Sequence, residues 1–260
     1  MSGPAITPEA RAAGAQPAGT SDEVSSATAV RQMFDSIAPR YDVLNHVLSC
    51  NVDHWWWWRA ARRFREVLAR PEAAVLDICC GTGDMTLALL RRRPEAGRPI
   101  LAADFSHAML TRGAEKFRGC NVVAMEADAL HLPLADDSLD LVTSAFGFRN
   151  LANYEAGLRE FRRVLRRGGE LGILDFSEPG GITGKLYAFY FRRVLPAIGT
   201  RLSGNGGAYA YLPSSVHRFP PPPEMLELMR RVGFTQTSWT PYSFGIAGLY
   251  RGVKADPSVG

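Results

Sequence analysis

The chain has 260 residues, 46% of them hydrophobic and 22% charged, which suits one α/β domain able to bury a core without metal or disulfide support. Its 30 basic and 26 acidic side chains leave a formal charge of only +4, which demands no nucleic-acid partner. The four cysteines, Cys50, Cys79, Cys80 and Cys120, show neither metal-ligand nor disulfide spacing, no run approaches the roughly eighteen apolar residues of a membrane span, and the N-terminus lacks a signal-peptide core, so the expected home is a reducing cytoplasm and no metal site is expected.

Residues 1–29 are rich in Ala, Gly, Ser, Thr and Pro and poor in large apolar side chains, so they are expected to form a disordered leader. A single domain is expected over 30–254, with a short tail at 255–260. From Val30, "VRQMFDSIAPRYDVLNHVLS" carries apolar residues at helical spacing broken at Pro39, which predicts two short helices. "DHWWWWRAARRFR", from Asp53 to Arg65, predicts a further helix. Each residue of a helix turns about 100°, so Trp55 to Trp58 cannot all face one core. At least one is expected on the surface. Arg59, Arg62 and Arg63 share a face, and tryptophan beside arginine suits an anionic membrane interface. Trp55, Trp57, Trp58 and these arginines are therefore candidates for a transient contact at the inner face of the membrane. The alternative packs the tryptophans beneath the aromatic segment that follows residue 180 and leaves the arginines merely solvated.

In "AVLDICCGTGDMTLALL", Val75, Leu76 and Ile78 read as a buried strand, and Met85 to Leu90 as the start of a helix that Asp84 can cap. Strand, glycine turn and helix open a nucleotide-binding sheet, but a dinucleotide fingerprint wants a third glycine where Thr86 stands. "PILAADF" is a second strand ending at Asp104, "NVVAMEADA" a third ending near Asp128, and "LDLVTSAFGF" a fourth. "EAGLREFRRVLRRGG" is expected to be a helix stopped by its glycines, and "ELGILDFSEP" a fifth strand. Residues 180–223 break this rhythm and read as an insertion covering the substrate. "PEMLELMRRVGF" returns to helix, and "TQTSWTPYSF" and "GIAGLYRGVK" make a closing hairpin. The expected fold is α/β: a doubly wound, mostly parallel seven-stranded sheet with N-terminal helices, its ligands beyond the carboxyl ends of the strands.

Those strand ends carry the chemistry. Asp104 suits the two hydroxyls of a ribose, since a carboxylate accepts both hydrogen bonds, and Asp128 can accept from an adenine amine. In "CCGTGD" there is no phosphate-binding lysine, and Asp84 would repel a pyrophosphate. A zwitterionic amino-acid tail fits better, with Gly81, Thr82 and Gly83 letting the backbone approach it. S-adenosylmethionine combines adenosine, such a tail and a sulfonium that tolerates carboxylates. Asp77, at the end of the first strand, and Phe105, beside Asp104, complete the expected cofactor set.

The sequence further resembles the ring C-methyltransferases of menaquinone and ubiquinone biosynthesis, on the class I methyltransferase fold. The resemblance runs from Val30 to Lys254 and rests on "MFDSIAPRYDVLN", "LDICCGTGD", "ADALHLPLADDSLD", "FGFRN", "EFRRVLRRGGELGILDFSEP", "AYAYLPSSVHRFP" and "GIAGLYRGVK". It implies cofactor contacts from Thr82, Asp104, Asp128 and Ala129. It departs from the family at Ala145, where some members carry a serine that reaches the cofactor, and at His217, where arginine is common. The activity it implies is methyl transfer to a ring carbon of a demethylated prenylquinol, demethylmenaquinol first. The benzoquinol precursor of ubiquinone, a phospholipid amine, nucleotide-dependent oxidoreduction and non-catalytic binding of S-adenosylmethionine are the alternatives. A quinol hydroxyl with pKa of about 10 resists ionisation, so Arg149, after the fourth strand, is the candidate cation beside the developing oxyanion. Asp84, Tyr41 and His217 are candidate bases, in that order. The oligomeric state, a homodimer included, stays open.

Overall fold

The structure, a computed structural model, describes residues 13–40, 49, 51–180, 184 and 206–255. Asp22 caps helix α1 (Glu23–Ile37): its carboxylate accepts from the Ser25 N–H at 2.8 Å, and the Ser25 hydroxyl accepts in return from the Asp22 N–H at 3.3 Å. The expected leader is corrected here. The helix begins at Glu23, and ahead of it the Ala15 N–H donates to the Leu151 carbonyl at 2.7 Å, so residues 13–29 are folded onto the domain. Ala38–Arg40 form a 3-10 turn at the expected proline break, while 41–48, which carry the second expected helix, lie outside the described residues, as do 1–12 and most of the tail.

The tryptophan stretch forms α2 (Val52–Arg63), followed by the short α3 (Arg65–Leu68). The alternation predicted from apolar runs then appears as β1 (Val75–Ile78), α4 (Asp84–Leu90), β2 (Ile100–Asp104), α5 (His107–Lys116), β3 (Val122–Glu126), β4 (Leu139–Ala145), α6 (Tyr154–Val164) and β5 (Leu165–Phe176). Beyond lie α7 (Gly206–Arg218), α8 (Pro222–Val232), β6 (Phe234–Tyr242) and β7 (Ala247–Lys254). One seven-stranded sheet runs in the order β3-β2-β1-β4-β5-β7-β6, parallel except for β7, which pairs antiparallel with β5 and β6. That is the expected doubly wound sheet closed by a hairpin.

One boundary differs from the sequence reading. The helical pattern of "EFRRVLRRGG" continues past Val164, but the chain turns extended at Leu165, which joins the sheet opposite Leu139. Gly168 adopts φ +71° inside this strand, so the glycines serve a strand irregularity rather than a helix stop. Ladder pairing outweighs helical periodicity here.

Alternating strand residues feed two cores. Leu76, Ile78, Phe148, Phe161 and Met229 join the α6 and α8 side, whereas Val75, Leu89, Leu141, Trp56 and Phe64 join the α2 and α4 side. The expected insertion lies mostly outside the described residues. Its end is α7, whose trailing Phe219 packs edge-on against Tyr154 at 5.6 Å. Strand order reverses between β1 and β4, so the crevice of the sheet opens at their carboxyl ends.

Candidate cofactor and acceptor site

At that switch point, a cavity open to solvent is bordered by the ends of β1, β2 and β4, by the segment after β3 and by α1. Asp77, Gly81, Thr82, Asp84, Asp104, Phe105, Asp128, Ala129 and Ala145 all line it. Cys79 and Gly81 take positive φ values of 55° and 56°, which turn the chain sharply from β1 into α4.

Asp104 ties this turn to β2. One carboxylate oxygen accepts from the Gly81 N–H at 2.8 Å and the other from the Ser106 N–H at 2.9 Å. Burial pushes its carboxyl up to about 6, against the opposing pull of these amides. Asp77, fully buried, accepts from the hydroxyls of Thr86 at 2.6 Å and Thr143 at 2.8 Å, and burial likewise raises it to about 6. Thr86 stands where a dinucleotide site wants glycine, and its hydroxyl has this other employment. Asp128 accepts from the Leu130 N–H at 2.9 Å and stays half exposed, with lone pairs left for a further donor. These acceptors fit the adenosine half of S-adenosylmethionine: a buried carboxylate for the ribose and a partly solvated one for the adenine amine.

Several expectations are corrected. Gly83, not Asp84, occupies the N-cap of α4, and Asp84 is its first residue, in salt bridge with Lys116 at 2.9 Å. At Gly83 a Cβ would sit 2.2 Å from the Phe117 ring and φ is +89°, so both packing and backbone require glycine there. Trp57 is only 7% exposed and borders the cavity, so it leaves the proposed membrane face, whereas Trp55 at 41% and Trp58 at 47% are exposed. Arg149 is buried, and its Nη1 donates to Asp175 at 2.8 Å and to the Phe146 carbonyl. Its backbone N–H also donates to Asp175, at 2.9 Å. The guanidinium charge is thus committed to a buried carboxylate and is not among the groups lining the cavity. His217 lies exposed on α7 against Glu178 at 3.1 Å, away from the cavity lining. Tyr41 lies outside the described residues.

The structure adds lining residues that sequence reasoning left aside: Phe34 of α1, Trp57, Cys80, Phe146 and Asn150. Phe34 sits in the "MFDSIAPRYD" motif, which was the one available signal. Asn150 is buried, with Oδ1 lacking a hydrogen-bond donor among the described residues.

A sequence profile described as the ubiE/COQ5 methyltransferase family matches residues 22–254. A demethylmenaquinone methyltransferase of Deinococcus radiodurans is 45% identical over 90% of this chain and 95% of its own length. A ubiquinone/menaquinone biosynthesis C-methyltransferase of Geobacter sulfurreducens is 43% identical over 86% and 88%. Among solved structures, the [4+2]-cyclase SpnF superposes with a TM-score of 0.66 at 18% identity, over 93% of this chain and 99% of that one. A SAM-dependent methyltransferase of Thermotoga maritima gives 0.57 at 20%, over 86% and 99%. At such identities these two show the fold alone.

Proposed function

The chain belongs to the ubiE/COQ5 methyltransferase family, with S-adenosylmethionine as cofactor, and from that premise we propose that it methylates a ring carbon of a demethylated prenylquinol, demethylmenaquinol in the first instance. The observation that carries this reading is the Deinococcus relative, matched across nearly the whole chain, in combination with a cavity whose carboxylates suit adenosine. The bound cofactor supplies an electrophilic methyl group. Asp104 and Asp128 hold its adenosine, and the turn at Gly81 and Thr82 faces its amino-acid tail. Asn150 offers Oδ1 to a ring hydroxyl, and Asp84, which lines the cavity, takes the proton that the ring must lose. The hydroxyl keeps its proton on Asn150, which avoids the roughly 4 kcal/mol that ionising a group of pKa about 10 costs at pH 7, and orienting the ring against the methyl group has to supply much of the acceleration. The test offers methyl-labelled S-adenosylmethionine with a reduced demethylnaphthoquinol, a demethylated benzoquinol and a phospholipid amine. Label in the naphthoquinol is expected. Label only in another acceptor, or in none while the cofactor still binds, overturns the reading.

A prenylated substrate resides in a membrane, and the exposed face of α2 supports docking there. Arg59 lies over Trp55 at 5.1 Å, and Arg62 and Arg92 lie over Trp58 at 5.4 and 5.7 Å, so apolar rings and cations share one surface. No helix among the described residues is long and apolar enough to cross a membrane. Each arginine near an anionic surface is worth about 1 kcal/mol, so Arg62→Gln with Arg92→Gln should weaken binding to anionic vesicles roughly thirtyfold in flotation assays. Unaltered co-flotation of the double variant would remove this face from the membrane.

A further inference from the structure

Phe146 is a bulky residue with φ +58°, in the left-handed region that such side chains avoid. Backbone strain of this kind persists only where surrounding structure enforces it, and it clusters at ligand sites. The enforcement is visible. The Phe146 N–H donates to the Leu174 carbonyl at 2.7 Å, and its own carbonyl accepts from Arg149 Nη1 and from Asn150 Nδ2 at 3.4 Å. Arg149 is in turn held by Asp175 through both its backbone and its side chain. A Cβ on Gly147 would meet the Cys79 side chain at 2.3 Å, so the end of β4 is drawn tightly against the cofactor turn.

The outcome is a phenyl ring at the wall of the cavity, 4.6 Å from the Phe176 ring and 5.7 Å from Trp56. We propose that Phe146 is the flat shelf on which the acceptor ring rests, and that the buried Arg149–Asp175 pair is the positioning device that holds the shelf. The proposal rests on the quinol reading and deepens it. An aromatic acceptor gains an offset stack there, and an aliphatic amine gains none, so the shelf also selects the class of acceptor.

Aromatic pairing beyond area burial is worth on the order of 2- to 12-fold in affinity. Phe146→Leu, which keeps apolar bulk and loses the flat face, is expected to raise KM for a reduced demethylnaphthoquinol by that factor. Affinity for S-adenosylmethionine by calorimetry should stay within about twofold, and Phe146→Tyr should restore the parental KM. Should the leucine variant lose its melting transition, Phe146→Met makes the same comparison with a more pliable side chain. An unchanged KM, or a cofactor affinity that falls as far as KM rises, overturns the shelf while leaving the methyltransferase reading intact. A parental protein that methylates no naphthoquinol overturns both.

Discussion

Arg149→Met is expected to destabilise the fold by about 3–5 kcal/mol, because it strands the Asp175 carboxylate, fully buried, without its counter-ion. In a domain of this size that lowers the melting temperature by roughly 10 °C or more. Neutralising the survivor should return a large part of the loss: Arg149→Met with Asp175→Asn removes the stranded charge and keeps an acceptor for the Arg149 N–H. The rate separates two roles. An arginine stabilising an oxyanion directly would, when removed, leave the melting temperature unchanged and cost on the order of a hundredfold in single-turnover methylation, partly restored as pH rises. An arginine that positions the Phe146 loop gives the opposite pattern: stability falls, and raising pH restores nothing, since no proton is involved. A single variant whose melting temperature matches the parent would disprove the structural pairing.

The sheet and the cofactor turn were legible because their signals are local. Val75 to Ile78 is a short buried run, Gly81 and Gly83 follow within five residues, and an acid ends the next strand at Asp104. What escaped was tertiary. The partner of Arg149 lies at the end of the neighbouring strand, and nothing in "FGFRN" announces that Asp175 will be there. Thr86 could be read as a missing glycine, but its hydroxyl bond to Asp77 needs the two elements folded together. The start of α1 was invisible for another reason. Its first turns are Glu, Val, Ser, Ala and Thr, with Val24 exposed, and they are held by a polar cap rather than an apolar stripe, so composition alone reads as disorder. The four tryptophans show the limit of periodicity: it dictates that some face outward, and only packing decides that Trp55 and Trp58 do while Trp56 and Trp57 turn inward.

Asp104→Ala is expected to weaken S-adenosylmethionine binding roughly tenfold to a hundredfold by calorimetry, since a hydrogen-bonding charged partner is worth about 1.5 to 3 kcal/mol. The alanine variant also frees the Gly81 and Ser106 N–H groups, so part of its loss comes through the turn. Asp104→Asn keeps one acceptor oxygen for those amides and separates the two contributions. The parental protein should show the same dependence by titration. Burial raises the Asp104 carboxyl to about 6, above the usual carboxylate range, so the cofactor-free folded protein holds a proton that the unfolded chain has already released. For stability the sign is then set: this group, like Asp77, favours the folded state at low pH and loses that advantage as pH rises from about 4 to about 6. Binding has the opposite sign. Ribose hydroxyls donate to the ionised carboxylate, so affinity should fall below pH 6, by up to about tenfold per unit, and level off above about 7. Cofactor-free stability and cofactor affinity should therefore move in opposite directions across that window, and in Asp104→Asn the affinity step near pH 6 should shrink to the part carried by Asp77, which lines the same cavity. An affinity that is flat from pH 5 to 7 in the parental protein would take Asp104 out of the ribose site.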